Sequence, residues 1–261
     1  MRNHALLFAA LMCVVAFGGA RQTAAQHPGL TERVWETATR YDYDRLSEGR
    51  QNWRRWTVSL KRETSHGTLM ATVIRQQRFG TTDGGLQIDA WPDLWAGAYG
   101  HVKAGLSPTA DVRPQGTLQS GVFQSVGAWE LSGRYSWRRY RSEDVHQFGP
   151  GLGRYVGSWY LRTRTALGPR PDTWAVAQRI GARRFYGPAS SLSYVDVEGG
   201  LGRSVEPINS RSEILVTRTF FVSVRLRHFL TSGVGVTAAV RYSDDEVFQH
   251  TGGTLGVFAQ W

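Results

Sequence analysis

The feature that most constrains the fold is an alternation of apolar and polar side chains, which recurs along the chain in segments of about ten residues. Segment 129–138 is the clearest, because apolar or small residues occupy its odd positions and Glu, Ser and Arg occupy its even positions. Segments 33–44, 53–64 and 158–167 alternate in the same way. A side-chain period of two belongs to a β-strand with two different faces. The sequence therefore predicts an all-β fold in which most strands have one apolar face.

Turn-forming clusters of Gly, Pro, Asn and Asp divide residues 33–261 into about fourteen such strands, with about twelve or about sixteen as alternatives. Longer polar loops follow the odd-numbered strands, and mostly tight turns follow the even-numbered ones. This pattern is typical of a closed antiparallel transmembrane β-barrel, and the 12% aromatic content suits the aromatic girdles of such a barrel. The alternative is a soluble β-sandwich, which has no reason to alternate its loop lengths.

Two of the predicted strands are less regular than the rest. The facing of strand 68–78 is ambiguous, because apolar residues occur at both odd and even positions. A connection over residues 81–84 is expected to lead into a short strand over 85–91, which ends at a turn formed by Pro92, Asp93 and Leu94. The eighth strand is expected over residues 145–155.

The first 25 residues have the pattern of a cleaved signal peptide. Arg2 precedes an apolar stretch over residues 5–19, and Thr23-Ala24-Ala25 offers a cleavage site. Residues 26–32 are expected to form a short periplasmic leader, and 33–261 a single barrel domain. Cys13, the only cysteine, lies within the predicted signal peptide, so disulfides and cysteine–metal sites are not expected in the mature chain.

The last segment, TGGTLGVFAQW, alternates and finishes on an aromatic residue. It resembles the closing strand of a bacterial outer-membrane barrel, which implies recognition by the barrel-assembly machinery and location in the outer membrane. The expected assembly signal is the apolar face of this strand, formed by Leu255, Val257, Ala259 and Trp261.

The basic residues are almost all arginine: the net charge is +10, and Lys61 and Lys103 are the only lysines. Arginine prefers planar, bidentate partners such as carboxylate, phosphate and sulfate. Export argues against a nucleic-acid partner and favours outer-membrane lipids and lipopolysaccharide, or an anionic solute or polysaccharide. The polar strand faces are expected to line the lumen with Arg40, Asp42, Arg134, Arg138, Arg162, Arg164, Arg179, Arg183, Arg225, Arg227 and Arg241.

Three segments carry a resemblance to a known family: TRYDYD at Thr39–Asp44, the run Gly85–Pro108, and GPGLGRYVGSWYLRTRTAL at Gly149–Leu167. With the terminal strands, they are similar to the YaiO family of outer-membrane β-barrels, and the likeness covers nearly the whole mature chain. The resemblance implies a barrel in the outer membrane. It brings no catalytic motif, so no catalytic residue, cofactor or metal ligand is expected.

Two functions remain open from the sequence. Rings of arginine predict a pore or passage for small polar or anionic solutes or saccharides. The alternative is a closed structural or surface-binding barrel, filled by salt bridges, whose loops contact lipopolysaccharide or a partner. The histidines are scattered without a recognisable Ser–His–acid arrangement, so an enzyme is not expected.

Overall fold

The computed structural model describes residues 35–170, 173–188, 191–207 and 214–261. The predicted signal peptide and leader lie outside the described residues. The described chain forms antiparallel strands, each hydrogen-bonded to the next. Their bounds are β1 Trp35–Leu46, β2 Trp53–Thr64, β3 Gly67–Arg78, β4 Thr81–Trp95, β5 Ala98–Leu106, β6 Gly116–Val126, β7 Trp129–Arg139, β8 Asp144–Phe148, β9 Gly151–Val156, β10 Trp159–Pro169, β11 Trp174–Tyr186, β12 Ser193–Pro207, β13 Ile214–Phe229, β14 Val234–Asp244 and β15 Gln249–Gln260.

These segments make a closed barrel of fourteen strands. Segments β8 and β9 both lie between β7 and β10, and only Gly149 and Pro150 separate them. Gly149 still exchanges both backbone hydrogen bonds with Arg134, at 2.9 and 3.1 Å, so β8 and β9 are two halves of one barrel strand. Strand β1 pairs with β15, and β10 pairs with β11, so the sheet closes without a free edge. The predicted all-β barrel and its approximate strand number are confirmed.

The two ends of the barrel differ in their connections. The backbones of Trp35 and Trp261 exchange hydrogen bonds of 3.0 and 3.1 Å, at the end that also holds the two-residue turns 65–66, 96–97, 127–128 and 157–158. Longer connections, such as 47–52 and 107–115, lie at the opposite end. Short turns are periplasmic in such barrels, so the end with the longer connections is the extracellular one.

Apolar side chains cover the outside of the barrel and polar side chains point inward. Leu86, Val240 and Leu255 are 62%, 64% and 71% exposed, as expected of groups that face lipid. At the periplasmic rim, an arginine of the neighbouring strand lies over each of three outward tryptophans. These pairs are Arg62 over Trp35 at 5.1 Å, Arg154 over Trp129 at 4.7 Å, and Arg184 over Trp159 at 5.8 Å.

Two expectations from the sequence were wrong. Residues 81–84 belong to β4, which runs on through Pro92 to Trp95 instead of turning there. A register shift between Asp93 and Trp95 accommodates the proline, which cannot donate a hydrogen bond to a regular ladder. Some aromatic residues lie inside the barrel in addition to those on its outer face: Trp53 is buried, and Trp91 stacks on the inward-facing His101 at 5.0 Å.

Candidate functional site: the charged interior

The strand register places all eleven predicted lumen residues on the inner face. Each pairs across the ladder with another inward position: Arg164 lies opposite Arg179, and Asp42 opposite Thr254. The same parity adds residues that the sequence analysis did not select as lumen-lining, among them Arg55 and Lys61. Their alternation was visible in the sequence, but their importance depends on contacts with distant strands.

One ion-pair network closes the periplasmic part of the seam between the first and last strands. Glu36 binds Arg227 at 2.8 Å and Lys61 at 3.2 Å, and the Gln260 amide donates to it at 2.6 Å. The Arg227 guanidinium also lies 3.6 Å from the centroid of the Phe258 ring. Arg227 is therefore held within the barrel wall by an ion pair and an aromatic ring.

A second network occupies the next layer of the same seam. Arg241 binds Asp44 through two hydrogen bonds of 2.6 Å and approaches Asp42 at 3.5 Å. Asp42 also accepts a hydrogen bond of 2.9 Å from Arg55. Two carboxylates thus face two guanidinium groups, and this part of the wall is close to neutral.

The third network lies on the other side of the barrel, across β10, β11 and β12. Arg162 donates to Asp196 at 2.7 Å and to Glu198 at 2.8 Å. Arg183 binds the other oxygen of Asp196 at 2.6 Å, whereas Arg179 stands 3.8 Å from Glu198. Two carboxylates thus face three arginines, so this network keeps a net positive charge.

Arg134 and Arg164 stand apart from these networks. Within the described residues, neither forms an ion pair with an acidic side chain. Arg134 lies over the Phe123 ring at 4.7 Å, and its Nε is buried without a hydrogen-bond partner. Such a group retains its full capacity to bind an acceptor.

The remaining predicted arginines have different environments. Arg138 donates to the Tyr140 hydroxyl at 3.3 Å. Arg40 and Arg225 are exposed on the inner face of β1 and β13. The eleven predicted residues are therefore not one ring: some are tied into wall networks, whereas Arg134, Arg138, Arg164 and Arg179 line an open space inside the barrel.

That space is an interior cavity of about 620 Å³ toward the extracellular end. Asp245 is the only carboxylate among the described residues that line it. Seven cationic side chains line the same cavity: Arg78, Lys103, Arg134, Arg138, Arg164, Arg179 and Arg241.

Asp245 belongs to the connection between β14 and β15. Burial by itself would raise the pKa of Asp245, but hydrogen bonds from His250 and Thr219 and the charge of His250 hold that pKa below its ordinary value. The His250 ring lies 3.3 Å from the carboxylate. Asp245 is therefore ionised at neutral pH and already has a partner in the cavity wall.

The connection 107–115 folds into the barrel mouth. The Asp83 carboxylate accepts hydrogen bonds from the backbone N–H groups of Asp111, Val112 and Arg113 at 2.9, 3.0 and 2.8 Å. Ala110 and Val112 are only 1% exposed. The sequence predicted a connection at Asp83, and this anchor was not predictable because it depends on β4 beginning at Thr81.

Aromatic rings also pack together at the extracellular end of the barrel. The centroid of Trp53 lies 5.3 Å from those of both Phe79 and Phe248, and Leu46 and Val247 complete the cluster. Arg78 lies over the Trp53 ring at 3.7 Å. Trp53, Val247 and Phe248 of this cluster also line the cavity.

The residues that the structure describes include no group of three or more His, Cys, Asp or Glu side chains placed to hold a metal ion. No helix in the described part of the chain is long and apolar enough to cross a membrane. The proposed assembly residues Leu255, Val257 and Trp261 are exposed on the outer face, at the seam with β1. Their role in assembly stays a prediction.

The protein-family model that describes the YaiO membrane beta barrel domain matches residues 36–206 of this chain. The chain belongs to the YaiO family. The family resemblance inferred from the sequence is confirmed, and the family places this barrel in the outer membrane. Comparison with curated proteins gives no match.

Among solved structures, the YaiO-family barrel is similar to a bacterial polysaccharide outer membrane secretin, with a TM-score of 0.53 and 8% identity, over 88% of this chain and 99% of that chain. It is also similar to the outer membrane protein Omp33 of Acinetobacter baumannii, with a TM-score of 0.50 and 9% identity, over 88% and 98% of the two chains. At these identities the likeness concerns the fold alone.

Proposed function

We propose that this YaiO-family barrel provides a passage across the outer membrane for small anionic solutes, including acidic saccharides. The observation that carries the proposal is the cavity wall, where seven cations face one carboxylate among the described lining residues. Fixed cations in a low-dielectric cleft raise the local concentration of anions and disfavour cations.

The wall networks support the same function by contrast. Arg227 and Arg241 are each bound by carboxylates at 2.8 Å or less. Paired charges of this kind attract a passing ion only weakly, because their fields largely cancel. Selectivity is therefore expected to arise at Arg134 and Arg164, where no such neutralisation is seen among the described acidic side chains.

The test is the reversal potential of the purified barrel in a planar bilayer under a salt gradient. We expect a reversal potential of the sign that reports anion preference. Arg134→Gln should lower the anion-to-cation permeability ratio severalfold, because it removes a cation of the cavity wall. Arg225→Gln is the matched control, since Arg225 is not among the residues that line the cavity. Cation preference, or no channels at all, would overturn the proposal.

A second candidate function is binding of lipopolysaccharide phosphates at the outer surface. Arg45, Arg54 and Arg75 are exposed on the outer face of β1, β2 and β3, near the extracellular end. They adjoin an aromatic pair, Tyr41 and Trp56, whose centroids are 4.6 Å apart, and Trp56 lies opposite Arg75 in the ladder. Guanidinium groups just above an interfacial aromatic pair suit the phosphates of outer-leaflet lipid.

A further inference from the structure

Three arginines occupy neighbouring inward positions around the break between β8 and β9. Arg164 lies directly opposite Arg179 in the ladder of β10 and β11. On its other side, Arg164 pairs with Gly151, and Arg134 exchanges backbone hydrogen bonds with Gly149. The strand between Arg134 and Arg164 therefore offers only glycine at this level.

The glycines let the two arginines approach each other. A Cβ atom at Gly149 would lie 3.7 Å from Arg134 Cβ and 4.0 Å from Arg164 Cδ. At Gly151, a Cβ atom would lie 3.8 Å from Arg164 Cβ. A larger side chain on this strand would lie against both arginines, whereas glycine leaves the space between them open.

The charge of this cluster is only partly offset by the described acidic residues around it, Glu130 and Glu198. Glu130 accepts hydrogen bonds from the Tyr99 and Tyr160 hydroxyls, at 3.2 and 2.6 Å. Like charges on neighbouring strands repel each other. Glu198 is the carboxylate next to Arg179, at 3.8 Å, but its other oxygen is bound by Arg162 at 2.8 Å. The buried Arg134 Nε has no hydrogen-bond partner, and an unmet buried donor costs free energy. A negatively charged acceptor would reduce the repulsion between the arginines and would give the Arg134 Nε a hydrogen-bond partner.

We propose that Arg134, Arg164 and Arg179 form a binding site for one oxyanion group, a carboxylate, phosphate or sulfate, of a small solute. Arginine binds such groups through two parallel hydrogen bonds, and a trigonal or tetrahedral oxyanion has enough oxygens for several guanidinium groups. This inference rests on the proposed passage and deepens it, because it makes passage saturable and selective for oxyanions over halides.

The rest of the solute occupies the adjoining cavity. Its volume of about 620 Å³ lies within the range of small-molecule sites, about 300–1,000 Å³. Ser136, Gln119 and Gln147 line it and offer hydrogen bonds to hydroxyl groups. The Phe221 ring, over which Arg179 lies at 5.0 Å, offers an apolar surface. A monosaccharide acid combines these features.

The test is titration calorimetry on the detergent-purified barrel with glucuronate, inorganic phosphate and sulfate, and with glucose and chloride as controls. Saturable binding is expected for glucuronate, phosphate and sulfate, and absent for glucose and chloride. Comparison of glucuronate with phosphate then separates a sugar acid from a simple phosphate as the preferred source of the oxyanion.

Variants locate the site. Arg164→Gln is expected to weaken glucuronate binding at least tenfold, and Arg225→Gln to leave it unchanged. Arg164→Lys keeps the charge but loses the planar fork, so it is expected to weaken binding severalfold. Heat-modifiable migration in gels shows that each variant is folded. If Arg164→Gln does not fold, Arg164→Lys and Arg179→Lys decide the question.

Equal affinity in Arg164→Gln and the parent barrel, or no saturable oxyanion binding, would overturn the site. Binding in detergent does not depend on conduction, so the two proposals can fail separately. Anion conduction that never saturates and is insensitive to Arg164→Gln would remove the site but leave the passage. Saturable binding without channels would remove the passage but leave the site.

Discussion

A single arginine, Arg227, joins parts of the chain that are 191 residues apart in sequence. It meets Glu36 in the barrel interior, where Lys61 and Gln260 complete the network. Alternation along each strand predicts that all four side chains point inward. It cannot predict that they meet, because the partner of an inward charge depends on barrel curvature and strand tilt. The facing of these charges was predictable from sequence, but their pairing was not.

Replacing Arg227 tests how much this network stabilises the barrel. Arg227→Ala leaves Glu36 with Lys61 as its remaining cation in a largely buried position, so we expect a loss of about 3 kcal/mol in the free energy of unfolding. The control is Arg50→Ala, which breaks an exposed pair with Glu48 and a contact of 5.4 Å with the Phe248 ring, and should change stability by about 1 kcal/mol or less. Urea-induced unfolding monitored by tryptophan fluorescence measures both. Equal effects of the two substitutions would contradict this view of the network.

At the scale of elements, the loop 107–115 is held by one carboxylate. Asp83 accepts three backbone hydrogen bonds from the loop and is itself 3% exposed. The sequence predicted a longer loop here but not its inward fold, because the anchor lies on a different strand, at a position where a connection was predicted. Strand β3 posed a similar difficulty: Ile74 points inward and Val73 outward, so hydropathy does not distinguish its faces.

Release of this loop should change the entrance without changing the barrel wall. Asp83→Ala removes the acceptor for three N–H groups, so we expect the loop to leave the mouth and the single-channel conductance to rise severalfold. Asp111→Ala is the control: it alters the same loop and breaks an exposed pair with Arg141, but it leaves the Asp83 carboxylate in place. Planar-bilayer recording gives the comparison. A rise in both variants, or in neither, would show that Asp83 does not hold the entrance closed.

For the whole molecule, the sequence was most informative about fold and least informative about interior contents. Alternation, turn clusters and loop lengths predicted the closed barrel, because each depends on residues close together in the chain. The cavity depends on which inward side chains remain unpaired, as Arg134 and Arg164 do among the described acids. Which inward side chains remain unpaired depends on contacts among all fourteen strands, so it cannot be predicted from any short segment of the sequence.

The outer surface carries a prediction at the same scale. If Arg45, Arg54 and Arg75 hold lipopolysaccharide phosphates, replacing all three by Gln should lower the lipopolysaccharide that co-purifies with the barrel severalfold, as measured by bound phosphorus. The control is Arg62→Gln at the other rim, which loses only its contact with Trp35. Unchanged retention in the triple variant, or equal retention of dephosphorylated lipopolysaccharide, would count against this surface.

The tryptophan–arginine pairs at the periplasmic rim have a consequence for how the barrel sits in its membrane. They lie on β1, β7 and β10, so they are distributed around the circumference. Three anchors at one depth define a plane, and leaning of the barrel would draw at least one ring out of the headgroup layer. A mismatch between barrel height and bilayer thickness is therefore met by the lipid, which must thin or thicken around an upright protein.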